Sequence, residues 1–312
     1  MELVCPRDRA PLEPEADSLA CGAGHRYPLV DGIPVLLVGE EEPTHASCWV
    51  SLERSGSNRP APVDPPEIDP LVQEVIAATC GNLYRHLIGA MGAYPIPDLR
   101  LPPGEGRTFL EVGCNWGRWC VAASRRGYRA TGIDPSLDAI RAAVRVAEQL
   151  EADADYVVGD ARHLPFPDAS FDVVFSYSVF QHFTKPDAIA SFSELGRTLR
   201  PGGLALVQMA NVYGARSLFN QLRERRFREP RTMFDVRYWS PRELEEEFTR
   251  AVGPTTLAVD GFLTLNPQPA DLPLLPRRYR ALVRGSEALR RLSERLPFLV
   301  QAADSLYVAA RK

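Results

Sequence analysis

Between residues 108 and 209, short β-branched apolar runs alternate with segments whose apolar positions recur at helical spacing. This alternation constrains the fold more than any other feature. The strand candidates are 108–113, 130–134, 155–159, 171–176 and 204–209. Between them, Ser136 is a good N-cap for a helix carrying Leu137, Ile140, Val144 and Ala147 on one face. A second helix after Pro186 carries Ile189, Phe192, Leu195 and Leu199. Ser240-Pro241-Arg242-Glu243 is a capping box with proline at the first helical position. Two later strands, 255–259 and 305–310, complete the set. The pattern predicts an α/β fold with a doubly wound, mostly parallel, seven-stranded sheet.

The first strand runs into Glu111-Val112-Gly113-Cys114-Asn115-Trp116-Gly117, a glycine-containing turn before a helix. Such a turn lets backbone approach a ligand closely, and in doubly wound sheets it lies in the ligand crevice. Asp134 ends the second strand about 20 residues later, where a carboxylate can hold both hydroxyls of a ribose. Asp160 ends the third strand and can accept from an adenine amino group. The fourth runs into Ser176-Tyr177-Ser178-Val179-Phe180-Gln181-His182-Phe183, and Pro201-Gly202-Gly203 precedes the fifth. A dinucleotide fingerprint starting at Gly113 needs glycine where Asn115 and Arg118 stand, so that reading fails.

In order, these segments resemble the motif series of class I (Rossmann-like) S-adenosylmethionine-dependent methyltransferases, over about residues 108–210. The resemblance implies that Glu111, Gly113, Cys114, Asn115 and Gly117 approach the methionine part of the cofactor. It implies that Asp134 binds the ribose, that Asp160 and Ala161 read the adenine, and that Ser176 and Tyr177 lie between cofactor and substrate. The usual middle glycine of the turn is Asn115, which tolerates the left-handed conformation better than most residues. A Rossmann domain that has lost its ligand is the bland alternative. Methyl transfer to a hydroxyl needs a base, and His182, after the fourth strand, is the candidate. The competing reading is a histidine that only hydrogen-bonds backbone. Tyr177 and Gln181 are pocket candidates, and Tyr84, His86 and His163 read as structural or exposed.

The N-terminal segment, 1–42, carries Cys5, Asp8, Cys21 and His25 ahead of the apolar run 33–38, and resembles a degenerate Trm112-like zinc ribbon. Asp8 stands where such ribbons have a second cysteine, yet all four residues are acceptable zinc donors. The alternative is a ribbon that has lost its metal. Residues 43–107 are expected to be a Pro- and Ser-rich linker, 43–70, followed by one or two helices over 71–93. The methyltransferase domain then spans 108–312, with lid insertions at about 211–239 and 262–304.

Both insertions are rich in arginine, which favours phosphate and carboxylate, so a phosphate-bearing or otherwise anionic acceptor is one reading and solvated helix faces the other. Together with Val236-Arg237-Tyr238-Trp239 and the ending Ser305-Leu306-Tyr307-Val308, the whole chain looks like bacterial ribbon-plus-methyltransferase proteins of glycan or natural-product pathways. That likeness implies O-methylation of a small-molecule or sugar-containing acceptor. The net charge of −4 and the sequence Ser176-Tyr177-Ser178-Val179 after the fourth strand make nucleic acid an unfavoured partner. An RNA methyltransferase and a non-catalytic partner protein are the alternatives. No apolar run is long enough to span a membrane and no signal peptide is read, so a cytoplasmic location is expected, with the six cysteines as thiols or metal ligands.

Overall fold

The computed structural model describes residues 1–39, 47–53, 60–65, 67–79, 89, 91–227, 235–263 and 268–312. Two compact units divide it, Met1–Val173 and Val174–Lys312.

In the first unit four short strands, β1 (Leu12–Pro14), β2 (Ser18–Cys21), β3 (Arg26–Val30) and β4 (Ile33–Leu36), form an antiparallel meander. They lead to β5 (Thr108–Val112), β6 (Arg129–Asp134) and β7 (Ala154–Gly159) in the neighbour order β1-β2-β3-β4-β7-β6-β5. The pairs β5–β6, β6–β7 and β4–β7 are parallel, with Val35 opposite Val158 and Leu36 opposite Gly159. Phe109, Leu110 and Val112 are all buried, as expected where a parallel strand is covered on both faces.

Helix α1 (Ser47–Glu53) lies within the stretch expected to be linker, so part of that stretch is helical. It contains no glycine or proline, and the Ser51 hydroxyl accepts the Leu137 N–H at 3.0 Å, anchoring it to a later helix start. Helix α2 (Pro70–Thr79) begins the helical segment expected over 71–93; Leu83, Tyr84, His86 and Leu87 lie outside the described residues. Helices α3 (Arg118–Arg125) and α4 (Leu137–Gln149) follow β5 and β6. Ser136 caps α4 by accepting the Ala139 N–H.

The boundary between units falls within β8 (Phe171–Ser176). Beyond it come α5 (Lys185–Thr198), β9 (Leu199–Ala210), α6 (Ala215–Phe227), α7 (Pro241–Ala251), β10 (Thr255–Gly261), α8 (Arg277–Ser293) and β11 (Ser305–Arg311). Their strand order is β8-β9-β11-β10, with β11 antiparallel to both neighbours. The capping box forms as the sequence predicts, Ser240 and Glu243 each accepting the other's backbone N–H. Phe192 packs on Phe248 (centroids 4.2 Å apart), Phe180 and Trp239 to make an aromatic core. Eleven strands are described rather than the expected seven. Strands β5 to β11 are the seven of the core, and the N-terminal meander supplies four more by continuing the β7 edge.

Candidate functional site

In the first unit, β5 delivers the chain into a tight left-handed turn: Gly113, Asn115 and Gly117 have φ of 76°, 51° and 77°. Asn115 holds this conformation while its side-chain carbonyl accepts the Trp116 N–H at 2.9 Å. At Gly117 the constraint is doubled, because a Cβ there would stand 2.6 Å from the Tyr156 hydroxyl. The turn hangs on β6, the Gly113 and Cys114 N–H groups both donating to the Ile133 carbonyl.

Asp134 lies directly beneath this turn. One carboxylate oxygen accepts the Asn115 N–H and the other the Ser136 N–H, both at 3.0 Å. Each oxygen keeps a further lone pair, so a diol can be gripped by both. Burial pushes its carboxyl up to about 6, against the pull of those two N–H groups. Glu111 is almost wholly buried and accepts the Cys120 N–H at 2.9 Å; burial raises it to about 8. The Asp160 carboxylate is taken by Arg162, whose backbone N–H and guanidinium reach it at 2.8 to 3.1 Å, beside the buried Ala161. Cys48 of α1 is buried, its thiol raised to about 12 first by burial and then by the carboxylates of Asp160 and Asp134. It had no signal in the sequence, because the segment carrying it reads as linker.

In the second unit Ser176 ends β8 and Tyr177 follows it, both buried. The Tyr177 hydroxyl donates to Asp260 at 2.8 Å and accepts from Gln268 at 2.5 Å. Ser305 donates to the same Asp260 oxygen and accepts from Gln208, which makes a buried polar chain. His182 closes a 3₁₀ turn, Phe180–His182, and is half-buried. Gln181 Nε2 lies 3.4 Å from its Nε2 and donates to Ser178 at 2.8 Å. Arg237 fixes the turn, its N–H donating to the Gln181 carbonyl and its guanidinium to that of His182. His163 donates its backbone N–H to the Asp160 carbonyl.

The arginine-rich insertions divide. Arg290 and Arg291 in α8 face Glu287, and Arg290 also faces Glu294, at 2.8 to 3.0 Å; this is the solvated-face reading. Of the first insertion, residues 228–234 and the side chains of Arg225 and Arg226 lie outside what is described.

The N-terminal meander gathers the four candidate donors. The ligand atoms of Cys5, Asp8, Cys21 and His25 all lie within 4.8 Å of one another. His25 Nδ1 is 3.4 Å from both sulfurs and 3.1 Å from Asp8 Oδ2, which is 3.3 Å from Cys21 Sγ. Metal–ligand bonds of about 2.0 to 2.3 Å at tetrahedral angles require edges of roughly this length. Tyr27 touches Cys5 Sγ at 3.2 Å. The described cysteines are free thiols.

Residues 109–203 match the family model of a methyltransferase domain. Over 108 residues the chain is 38% identical to 2-methyl-6-phytyl-1,4-hydroquinone methyltransferase of Synechocystis, covering 34% of this chain and 32% of that protein. Over 135 residues it is 37% identical to malonyl-[acyl-carrier protein] O-methyltransferase of Serratia marcescens, covering 43% and 46%. The chain thus spans between a third and a half of the length of these relatives. Among solved structures, Haemonchus contortus phosphoethanolamine N-methyltransferase 2 in complex with S-adenosyl-L-methionine is 19% identical, over 77% of this chain and 60% of that one, with a TM-score of 0.49. The chain carries a methyltransferase domain of class I, the S-adenosylmethionine-dependent kind. Among the described residues no helix is long and apolar enough to cross a membrane.

Proposed function

We propose that this chain transfers a methyl group from S-adenosylmethionine to oxygen of a small-molecule or sugar-containing acceptor in a biosynthetic pathway. The observation that carries the reading is the Asp134 carboxylate under a left-handed turn, each oxygen holding one backbone N–H and keeping a lone pair for a ribose hydroxyl. S-adenosylmethionine supplies an electrophilic methyl on a sulfonium that departs as a neutral thioether. The residues around it therefore position, exclude water and manage one proton. His182 takes that proton from the acceptor hydroxyl as the new C–O bond forms and the C–S bond breaks. The Arg237 contacts hold its turn and Tyr177 holds the end of β8. Named O-methyltransferases among the relatives support oxygen as the accepting atom.

Calorimetric titration with S-adenosylhomocysteine tests the cofactor half. Micromolar binding is expected, weakened at least about a hundredfold in Asp134→Ala, which loses both ribose bonds at about 1.5 kcal/mol or more each. Folded wild-type protein that fails to bind would overturn the proposal.

We also propose that Cys5, Asp8, Cys21 and His25 hold one zinc ion whose role is to brace the ribbon. The support is the mutual spacing of the four donors and the chemistry of the set.

A further inference from the structure

The loop that follows β7 carries Asp160 and Ala161, the residues expected to read the adenine, and the N-terminal meander grips this loop at both ends. At its entry, Leu36 of β4 stands opposite Gly159, the last residue of β7. At its exit, Val4 donates its N–H to the Pro165 carbonyl at 3.0 Å. The two grips belong to one body. Val4 is buried, and its neighbour Cys5 packs with Leu36, Cys21 and Tyr27 in a single buried apolar cluster. Whatever moves that cluster moves both ends of the loop together.

Inside the clamp the bonds are local. The Arg162 N–H donates to Asp160 Oδ1 at 2.8 Å, the Arg162 guanidinium reaches both carboxylate oxygens, and the His163 N–H donates to the Asp160 carbonyl at 3.0 Å. Such bonds close a turn and aim its carboxylate relative to the turn itself. They do not fix where the turn stands on the sheet. Its ends do that: the parallel pairing of Leu36 with β7 on one side and the Val4–Pro165 bond on the other, with Phe166 edge-on to Phe171 just beyond (centroids 5.1 Å apart). Placement matters because a hydrogen bond to a base weakens steeply with distance and angle.

We infer that the N-terminal meander is a working part of the cofactor site, in which Val4 and Leu36 are positioning residues that set how selectively the 160–164 loop binds adenine. The inference rests on the S-adenosylmethionine reading proposed above and does not require the zinc ion.

Base selectivity is the readout that a merely structural role would not move. S-inosylhomocysteine has a carbonyl in place of the adenine amino group and an N–H in place of the ring nitrogen beside it. It therefore turns an acceptor toward the Asp160 carboxylate and a donor toward the Ala161 N–H. Calorimetric titration of the wild-type chain should favour S-adenosylhomocysteine by about a hundredfold. Val4→Pro removes the N–H that holds Pro165. It should weaken S-adenosylhomocysteine about tenfold and leave the inosine analogue within about twofold. In the ligand-free variant, the amides of 161–164 should exchange faster with solvent and those of 114–117 should not. Asp31→Asn breaks the meander's pair with Arg141 of α4, away from the loop, and should keep the wild-type ratio. Should Val4→Pro fail to fold, Leu36→Ala, which leaves every main-chain bond in place, should lower the ratio in the same way. An unchanged ratio in either folded variant, an equal loss for both ligands, or the same collapse in Asp31→Asn overturns the inference and leaves the cofactor reading standing. Wild-type protein that binds neither ligand overturns both.

Discussion

Glu111 and Asp134 are carboxyls held in places that disfavour their charge, and the consequence can be measured without any ligand. Each is raised by burial, to about 8 and about 6, above its value in an unfolded chain. The folded protein therefore binds protons that the unfolded chain releases. Stability from these groups is fully present below about pH 4 and is lost as pH rises through 6 for Asp134 and 8 for Glu111. Glu111→Gln keeps an oxygen for the Cys120 N–H and removes the titration. The melting midpoint of the ligand-free variant should thus fall less than that of wild type between pH 5 and 8, as read by calorimetry at matched ionic strength. A parallel shift of the two curves would mean that Glu111 is not the titrating group. The positions of both acids were legible in the sequence, at the start of the turn and the end of the second strand. Their raised values were not, since burial is a property of the surrounding fold.

At the scale of elements, local chemistry was readable wherever the cause was local. Ser136 caps α4 and the Ser240–Glu243 box caps α7 because a short polar side chain can reach an unpaired N–H three residues on, whatever else the fold does. Ser240→Ala should therefore cost about 1 kcal/mol in denaturant unfolding, with no change in denaturant sensitivity. A cost near zero would show that Glu243 and its Lys185 partner suffice to hold the helix start. Elements whose cause is distant were read less well. Helix α1 stands in an expected linker because its anchor, the Leu137 N–H, is 86 residues away. The commitment of Tyr177 depends on Asp260 and Gln268, which are 83 and 91 residues away. The start of α6 depends on Asp304, 87 residues from Ser217.

For the whole molecule, the N-terminal meander is no appendage. Strand β4 extends the β7 edge in parallel register, Val4 donates its N–H to the Pro165 carbonyl, and Arg141 of α4 grips Asp31. Loss of the proposed zinc should therefore reach the rest of the first unit as well as the meander. Metal analysis should find about one zinc per chain, and a strong chelator should lower the melting midpoint by more than about 3 °C. Cys21→Ser should copy that loss. A wild-type protein free of zinc, with a midpoint indifferent to chelation, would overturn the proposed metal site and leave the apolar cluster around Cys5, Cys21, Tyr27 and Leu36 to hold the segment.

The sequence by itself determined the alternation of strands and helices, the left-handed turn at Asn115 and Gly117, the helix caps and which residues are candidates to gather as metal donors, Cys5, Asp8, Cys21 and His25. Each follows from the stereochemistry of a few neighbouring residues or from apolar periodicity. The tertiary structure alone decided that β4 joins the sheet beside β7, that Arg162 occupies Asp160 and that Tyr177 is spent on a buried polar chain. Apart from the Asp160–Arg162 pair, these outcomes depend on contacts across many tens of residues. Even for that pair, two residues apart, only the folded backbone fixes which way the side chains point.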